Sequence, residues 1–356
     1  MQTDQPRNSP EVRPALPQSS PFRPNVWDSS RLCYILSLDG GGIKGLFSAA
    51  VLAHVEQDLK CKITDHFDLI TGTSTGAIIA VALGMGHSPR EIVNFYIKHG
   101  ASIFPTSKCA RALAAVRHVF RRKLDGRPLE HALRECLGER LLGESRSRLV
   151  IPSYDMGHDD VCLLKTPHHE RFARDHCFKA WAVVMASAAA PSYFPAARGI
   201  EGRRLIDGGI WANNPVMVAI TEAHAVLGAP LQNIRVVSLG TTDALCRPPD
   251  KLDNGGLLAW SIQGIRTALR GQSLGAVNQA RLLLGRQNVF RLDPVVPDEY
   301  FALDKLDIEK HMALAAHESR HAMPELRSFI GNHRAAPYQP LYGPLSRTLA
   351  EAKEYA

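Results

Sequence analysis

A serine framed by glycines, Gly72-Thr73-Ser74-Thr75-Gly76, follows the apolar run FDLITGT and opens the apolar stretch TGAIIAVAL. GxSxG at a strand-to-helix junction is the pattern of a nucleophile elbow, where small flanking residues let the hydroxyl project from a tight turn beside helix N-terminal amides. Attack by such a serine on a carbonyl creates an oxyanion, which needs preorganised donors. Gly40, Gly41 and Gly42, in SLDGGGIKG, can turn consecutive N–H groups toward one point with no side chain in the way. A base for the serine proton is offered by Asp207 in RLIDGG, ahead of Gly208 and Gly209. If its strand is parallel, Asp207 faces the same carboxyl edge of the sheet as Ser74. Taken alone, an Asp-Gly pair is an ordinary turn.

Gly40, Gly42 and Gly45 also fit GxGxxG, the pattern of a dinucleotide loop. That reading wants an acidic residue ending the next strand, which here runs into TGTSTG, and a Walker A loop wants Lys-Ser/Thr where Leu46 follows Gly45. Both phosphate readings lose support.

These loops need a scaffold. CYILSL (33–38), FDLITGT (67–73), RLVIPSY (148–154), VCLLKT (161–166), RLIDGG (204–209), IRVVSLG (234–240) and NVFRLD (288–293) are short and rich in β-branched residues, as strands are. Helical patterns lie between them, among them PREIVNFYIKHG, FKAWAVVMASAAA and NPVMVAITEAHAVLG. The alternation predicts an α/β fold with a mostly parallel sheet covered on both faces. We expect a Pro-rich flexible tail over 1–30, one domain over 31–335 and an irregular tail over 336–356.

Of the 356 residues, 45% are hydrophobic and 22% charged, the balance of a folded protein rather than a disordered or fibrous one. A net charge of +7 favours an anionic partner such as a lipid surface or a nucleotide. The seven cysteines are scattered and form no CxxC pair, as expected of reduced cytosolic thiols. No signal-peptide core and no run of roughly 20 apolar residues is present. Within 107–127, Arg117 and Arg121 fall on one helical face with Arg122 and Lys123 beside them. They are candidates for lipid headgroups or nucleotide phosphates, although a solvated face is the commoner reason for such a run. Lys44 is expected to be solvated, and the groups His158-Asp159-Asp160 and His168-His169-Glu170 to be exposed loops rather than metal sites. Tyr193 and Phe194 suit an acyl pocket or a core equally well.

DGGGIKG, GTSTG and DGG, in that order, resemble the patatin-like phospholipase family. ASAAAPSYFP (186–195), IDGGIWANNP (206–215) and VVSLGTT (236–242) extend the resemblance over roughly residues 32 to 242. It implies a patatin-like three-layer α/β/α sandwich and a Ser-Asp dyad without histidine. Ser74 would be the nucleophile, Asp207 the base and Gly40 to Gly42 the oxyanion hole, supported by Gly45, Gly72, Gly76, Gly208 and Gly209. The implied reaction is hydrolysis of phospholipid acyl esters with no metal or organic cofactor.

SLDGGGIKG, SPREIVNFYIKHGASIFP (88–105) and the close of the chain are most similar to bacterial members of antiphage signalling operons. This implies activation by a cyclic dinucleotide such as cyclic GMP-AMP, attack on the inner membrane from the cytoplasmic side and no DNA or RNA partner. It leaves a homo-oligomer open, and no motif marks the nucleotide pocket. Three other readings stand beside it: a constitutive lipase, a non-catalytic nucleotide-binding module, and an α/β-hydrolase whose histidine would come from His311, His317, His321 or His333.

Overall fold

The computed structural model describes residues 23–104, 124–244, 250–296 and 307–346. Its strands are β1 (Cys33–Leu38), β2 (Leu69–Gly72), β3 (Leu149–Asp155), β4 (Asp160–Lys165), β5 (Leu205–Asp207), β6 (Ile234–Leu239), β7 (Asp243–Ala244), β8 (Val289–Leu292) and β9 (Val295–Val296). The main sheet runs β4-β3-β2-β1-β6-β8, with β5 also pairing with β3, and β7 and β9 form a small separate ladder. β1 lies parallel between β2 and β6 and is buried along its whole length. That explains why CYILSL reads as an unbroken apolar run rather than an alternation.

The helices are α1 (Gly45–Leu59), α2 (Thr75–Gly84), α3 (Pro89–Ile103), α4 (Arg127–Leu137), α5 (Ala180–Ala188), α6 (Gly209–Ala212), α7 (Val216–Thr221), α8 (Leu257–Leu284) and α9 (Ile308–Ile330). On one face of the sheet, Leu36 and Leu38 pack with residues of α1 to α5 and α9. On the other, Cys33 and Ile35 pack with α7 and α8. The result is a three-layer α/β/α sandwich. α2 is buried at every position, so TGAIIAVALG is apolar all round. α3 instead shows one apolar face, and it starts at a capping box in which Ser88 and Glu91 satisfy each other's backbone N–H, with Pro89 in its first turn.

Two strands depart from the expected parallel order. β4 and β5 both pair antiparallel with β3, and Asp207 sits opposite Ser153. Asp207 therefore does not reach Ser74 as the end of a parallel strand. Just past it the chain turns at Gly208, where any Cβ would strike the Pro152 carbonyl.

Toward the two limits of the described residues, Asn25 N–H donates to the Val226 carbonyl, and Ala336 N–H to the buried Asp68 carboxylate. Among the described residues no helix is long and apolar enough to cross a membrane, and Cys33, Cys61, Cys136, Cys162 and Cys177 are free thiols.

Candidate active site

Ser74 sits where β2 gives way to α2, with φ 56° and ψ −116°. L residues avoid this combination, and elbows hold it only when the surroundings over-determine it. Here they do. Ser74 N–H donates to Ser187 Oγ at 3.0 Å, Thr73 Oγ1 donates to the Ala212 carbonyl at 2.6 Å, and Thr73 N–H to the Leu38 carbonyl at 3.1 Å. The motif glycines give the turn its room, since a Cβ at Gly72 would collide with the Gly76 carbonyl and one at Gly76 with the Leu38 carbonyl.

Asp207 is buried, at 6% exposure, lies beside the Ser74 side chain and accepts a hydrogen bond from Gly209 N–H at 2.7 Å. Burial pushes its carboxyl up to about 6, against the pull of the Ser74 side chain and the Gly209 N–H. Its position is fixed by the C-terminal end of α5: Asp207 N–H donates to the Ala189 carbonyl and Gly208 N–H to the Ser187 carbonyl.

The glycine loop stands against this pair, with a Cβ at Gly40 falling 3.5 Å from Ser74 Cβ. Gly42, at φ 60°, begins a 3-10 turn over Gly42–Lys44 that leads directly into α1. The N–H groups of Gly41 and Gly42, at the head of that turn, have no acceptor within it, and the following helix adds a positive dipole end. Gly40 departs from the expected set of three donors. Its N–H is taken by the Asn213 carbonyl at 2.9 Å, which ties the glycine loop to the segment after Asp207.

Sequence reasoning missed the anchor of this loop. Arg291, on β8, grips both carboxylate oxygens of Asp39, at 2.9 and 2.7 Å, and holds Asp293 Oδ2 at 2.6 Å. Burial pushes Asp39 up to about 6 although Arg291 opposes it, and the two carboxylates hold Arg291 firmly protonated. Replacing Arg291 with leucine leaves Asp39 buried and unpaired. We expect a loss of about 3–5 kcal/mol at pH 8, measured by urea unfolding, that shrinks at pH 5 where Asp39 is protonated.

Lys44 is not solvated as expected. It is 3% exposed and its Nζ donates to the Thr242 carbonyl at 3.0 Å, because the turn carrying it is roofed by the chain leaving β6. His168 and His169 are likewise buried rather than in an exposed loop. His168 Nε2 lies 2.9 Å from Glu222 Oε1 in an ion-paired cluster with Lys165, and His169 Nε2 lies 2.8 Å from the Arg23 carbonyl. His158, Asp159 and Asp160 do lie exposed at the β3–β4 turn. Arg117, Arg121, Arg122 and Lys123 fall outside the described residues.

A cavity of about 690 Å³ opens over Ser74, Asp207 and the glycine loop. Phe95, Ile103, Phe104 and Leu129 line it, and so do both Tyr193 and Phe194, which gives those two the pocket role as well as a packing one. At its rim Ile210, Ile265, Leu274 and Val295 are each half or more exposed. Among the described residues the lining includes no histidine. His311 is buried with Nδ1 on the Asp307 carbonyl, His317 and His321 touch each other on α9, and His333 Nε2 is 3.0 Å from Asp68.

Comparison with known proteins agrees with this architecture. Residues 36–220 match the family model described as patatin-like phospholipase. A cGAMP-activated phospholipase of Vibrio cholerae serotype O1 is 28% identical over 331 residues, covering 85% of this chain and 93% of that protein. Another, from Pseudomonas aeruginosa, is 33% identical over 283 residues, covering 77% and 83%. Patatin-like protein 3 of Arabidopsis thaliana is 34% identical over 253 residues, 59% of each chain. An elbow serine, a buried aspartate and a glycine loop meeting over an apolar cavity thus stand on a chain that belongs to the patatin-like phospholipase family.

Proposed function

We propose that the protein is a lipid acyl hydrolase that cleaves phospholipid esters through a Ser74–Asp207 dyad. The observation that carries this reading is the placement of the elbow Ser74 beside the buried Asp207 carboxylate in the wall of a largely apolar cavity. Ser74 attacks the ester carbonyl as Asp207 takes its proton, and the N–H groups of Gly41 and Gly42 hold the oxyanion. The proton returns to the departing alcohol or lysophospholipid. Water, deprotonated by Asp207, then releases the fatty acid. The absence of histidine from the described lining favours the dyad over a Ser-Asp-His triad, and the partly exposed apolar rim suits a substrate presented by a membrane surface.

The relatives named as cGAMP-activated support a second element, control by a cyclic dinucleotide, with membrane degradation in antiphage defence as the outcome. The test is fatty-acid release from phosphatidylglycerol vesicles with and without cyclic GMP-AMP, with Ser74→Ala as control. Release only with the nucleotide supports the switched enzyme. Release without it leaves a constitutive lipase, and no release under either condition overturns the hydrolase reading.

A base must be ionised to act, so the raised pKa of Asp207 sets an acid limb. kcat/KM is expected to fall about tenfold per pH unit below about 6. The limb steepens as Asp39, which titrates in the same range, loosens its hold on Arg291. A profile flat down to pH 5 would remove Asp207 as the base.

A further inference from the structure

A second cavity, of about 480 Å³, opens at the amino edge of the sheet, the edge opposite Ser74. Asp68 enters its wall just ahead of β2, and Arg148 just ahead of β3, the strand beside β2. Gly86 lies in it beyond the end of α2, and the segment after α9 closes the far side with Arg334 and Tyr338. Small-molecule sites span about 300–1,000 Å³, so the space is ample for a ligand. The proposed hydrolysis makes no use of it.

The carboxylates in this wall are already engaged. Glu56 accepts Ile63 N–H at 2.8 Å, and Glu91 accepts the Ser88 N–H and hydroxyl at 2.7 and 2.8 Å. Asp68 takes the N–H groups of Tyr34 and Ala336 and faces the His333 ring, while Asp65 is exposed to solvent. The cations are left over. Lys62, Arg146, Arg148 and Arg334 line the same wall, and among the described residues none of them forms an ion pair. Arg148 is half-buried, with Nη1 on the Asp68 carbonyl at 3.3 Å and its guanidinium over the Tyr338 ring at 5.2 Å. Arg146 lies over Gly86, where a Cβ would come within 3.6 Å of Nη1, and Arg334 Nη1 is 2.9 Å from His66 Nδ1. Burial pulls Arg148 below its ordinary value, a cost that an anion beside it would relieve.

Two of these arginines also hold the far ends of the elements that carry the elbow. Arg146 N–H donates at 2.7 Å to the carbonyl of Gly84, the last residue of α2, and Arg148 holds the Asp68 carbonyl just ahead of β2. α2 has ten residues, which puts the cavity about 15 Å from Ser74, too far for its occupant to touch the reacting ester. We propose that this cavity is a regulatory site for a soluble phosphate-bearing ligand, held by the guanidinium groups of Arg146, Arg148 and Arg334. Their planar forks match phosphate oxygens. The half-exposed Ile210, Ile265, Leu274 and Val295 border the other cavity and not this one, which favours a soluble ligand over a lipid. The inference rests on the reading of control by a cyclic dinucleotide and gives that control a place. A phosphate drawing on Arg146 and Arg148 acts on the ends of α2 and β2, and it shifts the elbow between them as far as it binds one arrangement more tightly than another.

The experiment is calorimetric titration of Ser74→Ala protein with cyclic GMP-AMP, repeated with Arg146→Ala, Arg146→Lys and Arg334→Ala in the same background. Both arginines are exposed, and alanine keeps the Arg146 N–H on Gly84, so the variants should fold. Affinity is expected to fall at least about tenfold in each alanine variant, with lysine at 146 restoring part of it. With Ser74 restored, the nucleotide concentration that half-activates fatty-acid release should rise by the same factor. Affinity within twofold of the parent's overturns the site and leaves nucleotide control standing. Loss of dihexanoyl phosphatidylglycerol binding, with the nucleotide still bound, would assign the arginines to a lipid headgroup and refute the soluble ligand. If the parent binds no cyclic GMP-AMP, the control reading fails and pyrophosphate decides the site. At about 10 mM it should raise Tm by about 1–2 °C, and the rise should vanish in Arg146→Ala. An equal rise in both proteins, or none in either, overturns the proposal.

Discussion

Replacing Ser74 with glycine is expected to abolish ester hydrolysis and yet give a protein that melts above the Ser74→Ala variant. Both substitutions remove the proposed nucleophile, and either should lower kcat/KM on p-nitrophenyl butyrate by about 10⁴-fold or more. They differ in the backbone. Alanine inherits the φ of 56° and ψ of −116°, whose strain is worth about 1–3 kcal/mol, whereas glycine occupies that region freely. Glycine gives back about 0.5–1 kcal/mol through the added freedom of the unfolded chain. The net advantage of about 1 kcal/mol corresponds to roughly 2 °C in Tm by calorimetry. At ordinary positions Ala→Gly destabilises, so the inverted sign is the test. A glycine variant that melts below the alanine variant would mean the elbow is not strained, and hydrolysis within tenfold of the parent would remove Ser74 as nucleophile.

The second large effect belongs to Asp207. Asp207→Asn keeps an oxygen for the Gly209 N–H but cannot take a proton, so activity should fall by about 10³–10⁴-fold. Stability should move the other way. The folded-state pKa of about 6 lies above the unfolded value of 3.8, so the stability that the protonated form supplies at low pH is lost as pH rises through that interval. At roughly 1.4 kcal/mol per unit, the ionised carboxylate costs the fold about 3 kcal/mol above pH 6. The asparagine variant should therefore be more resistant to urea at pH 8 by up to that amount, and no more resistant at pH 4. Equal stability at both pH values would show that burial does not penalise this carboxylate.

How much of this could be read from the chain depended on how local the signal was. GTSTG, DGGG and DGG each carry their geometry within a few residues, and strands such as CYILSL declare double-sided burial by their composition. The three-layer fold and the candidate site followed from those. What escaped were partners of ordinary type at long range. Arg291 meets Asp39 across 252 residues with no spacing to betray it. Ser187 and Asn213 sat in segments that stood out, ASAAAP and WANNP, but nothing local says that one accepts the Ser74 amide and the other captures Gly40. Strand direction was misjudged for β5 because three residues, LID, carry no directional information. Lys44 and His168 were placed at the surface by their chemistry, whereas distant segments cover both.

The ties among the three loops also bear on how the protein gains activity. Gly40 is bonded to Asn213, Thr73 to Ala212, Ser74 to Ser187, and the Thr241 hydroxyl to the Gly40 carbonyl, contacts that close chain loops of more than a hundred residues. Such closures are slow, whereas helices form early from local contacts. During refolding from urea, the far-ultraviolet helical signal should return well before any ester is cleaved, and catalytic competence should appear in one late step rather than accumulate in parts. The hydrolysis assay is thus a reporter of the last contacts made in folding, and it should lose amplitude first when a distant substitution slows that final closure.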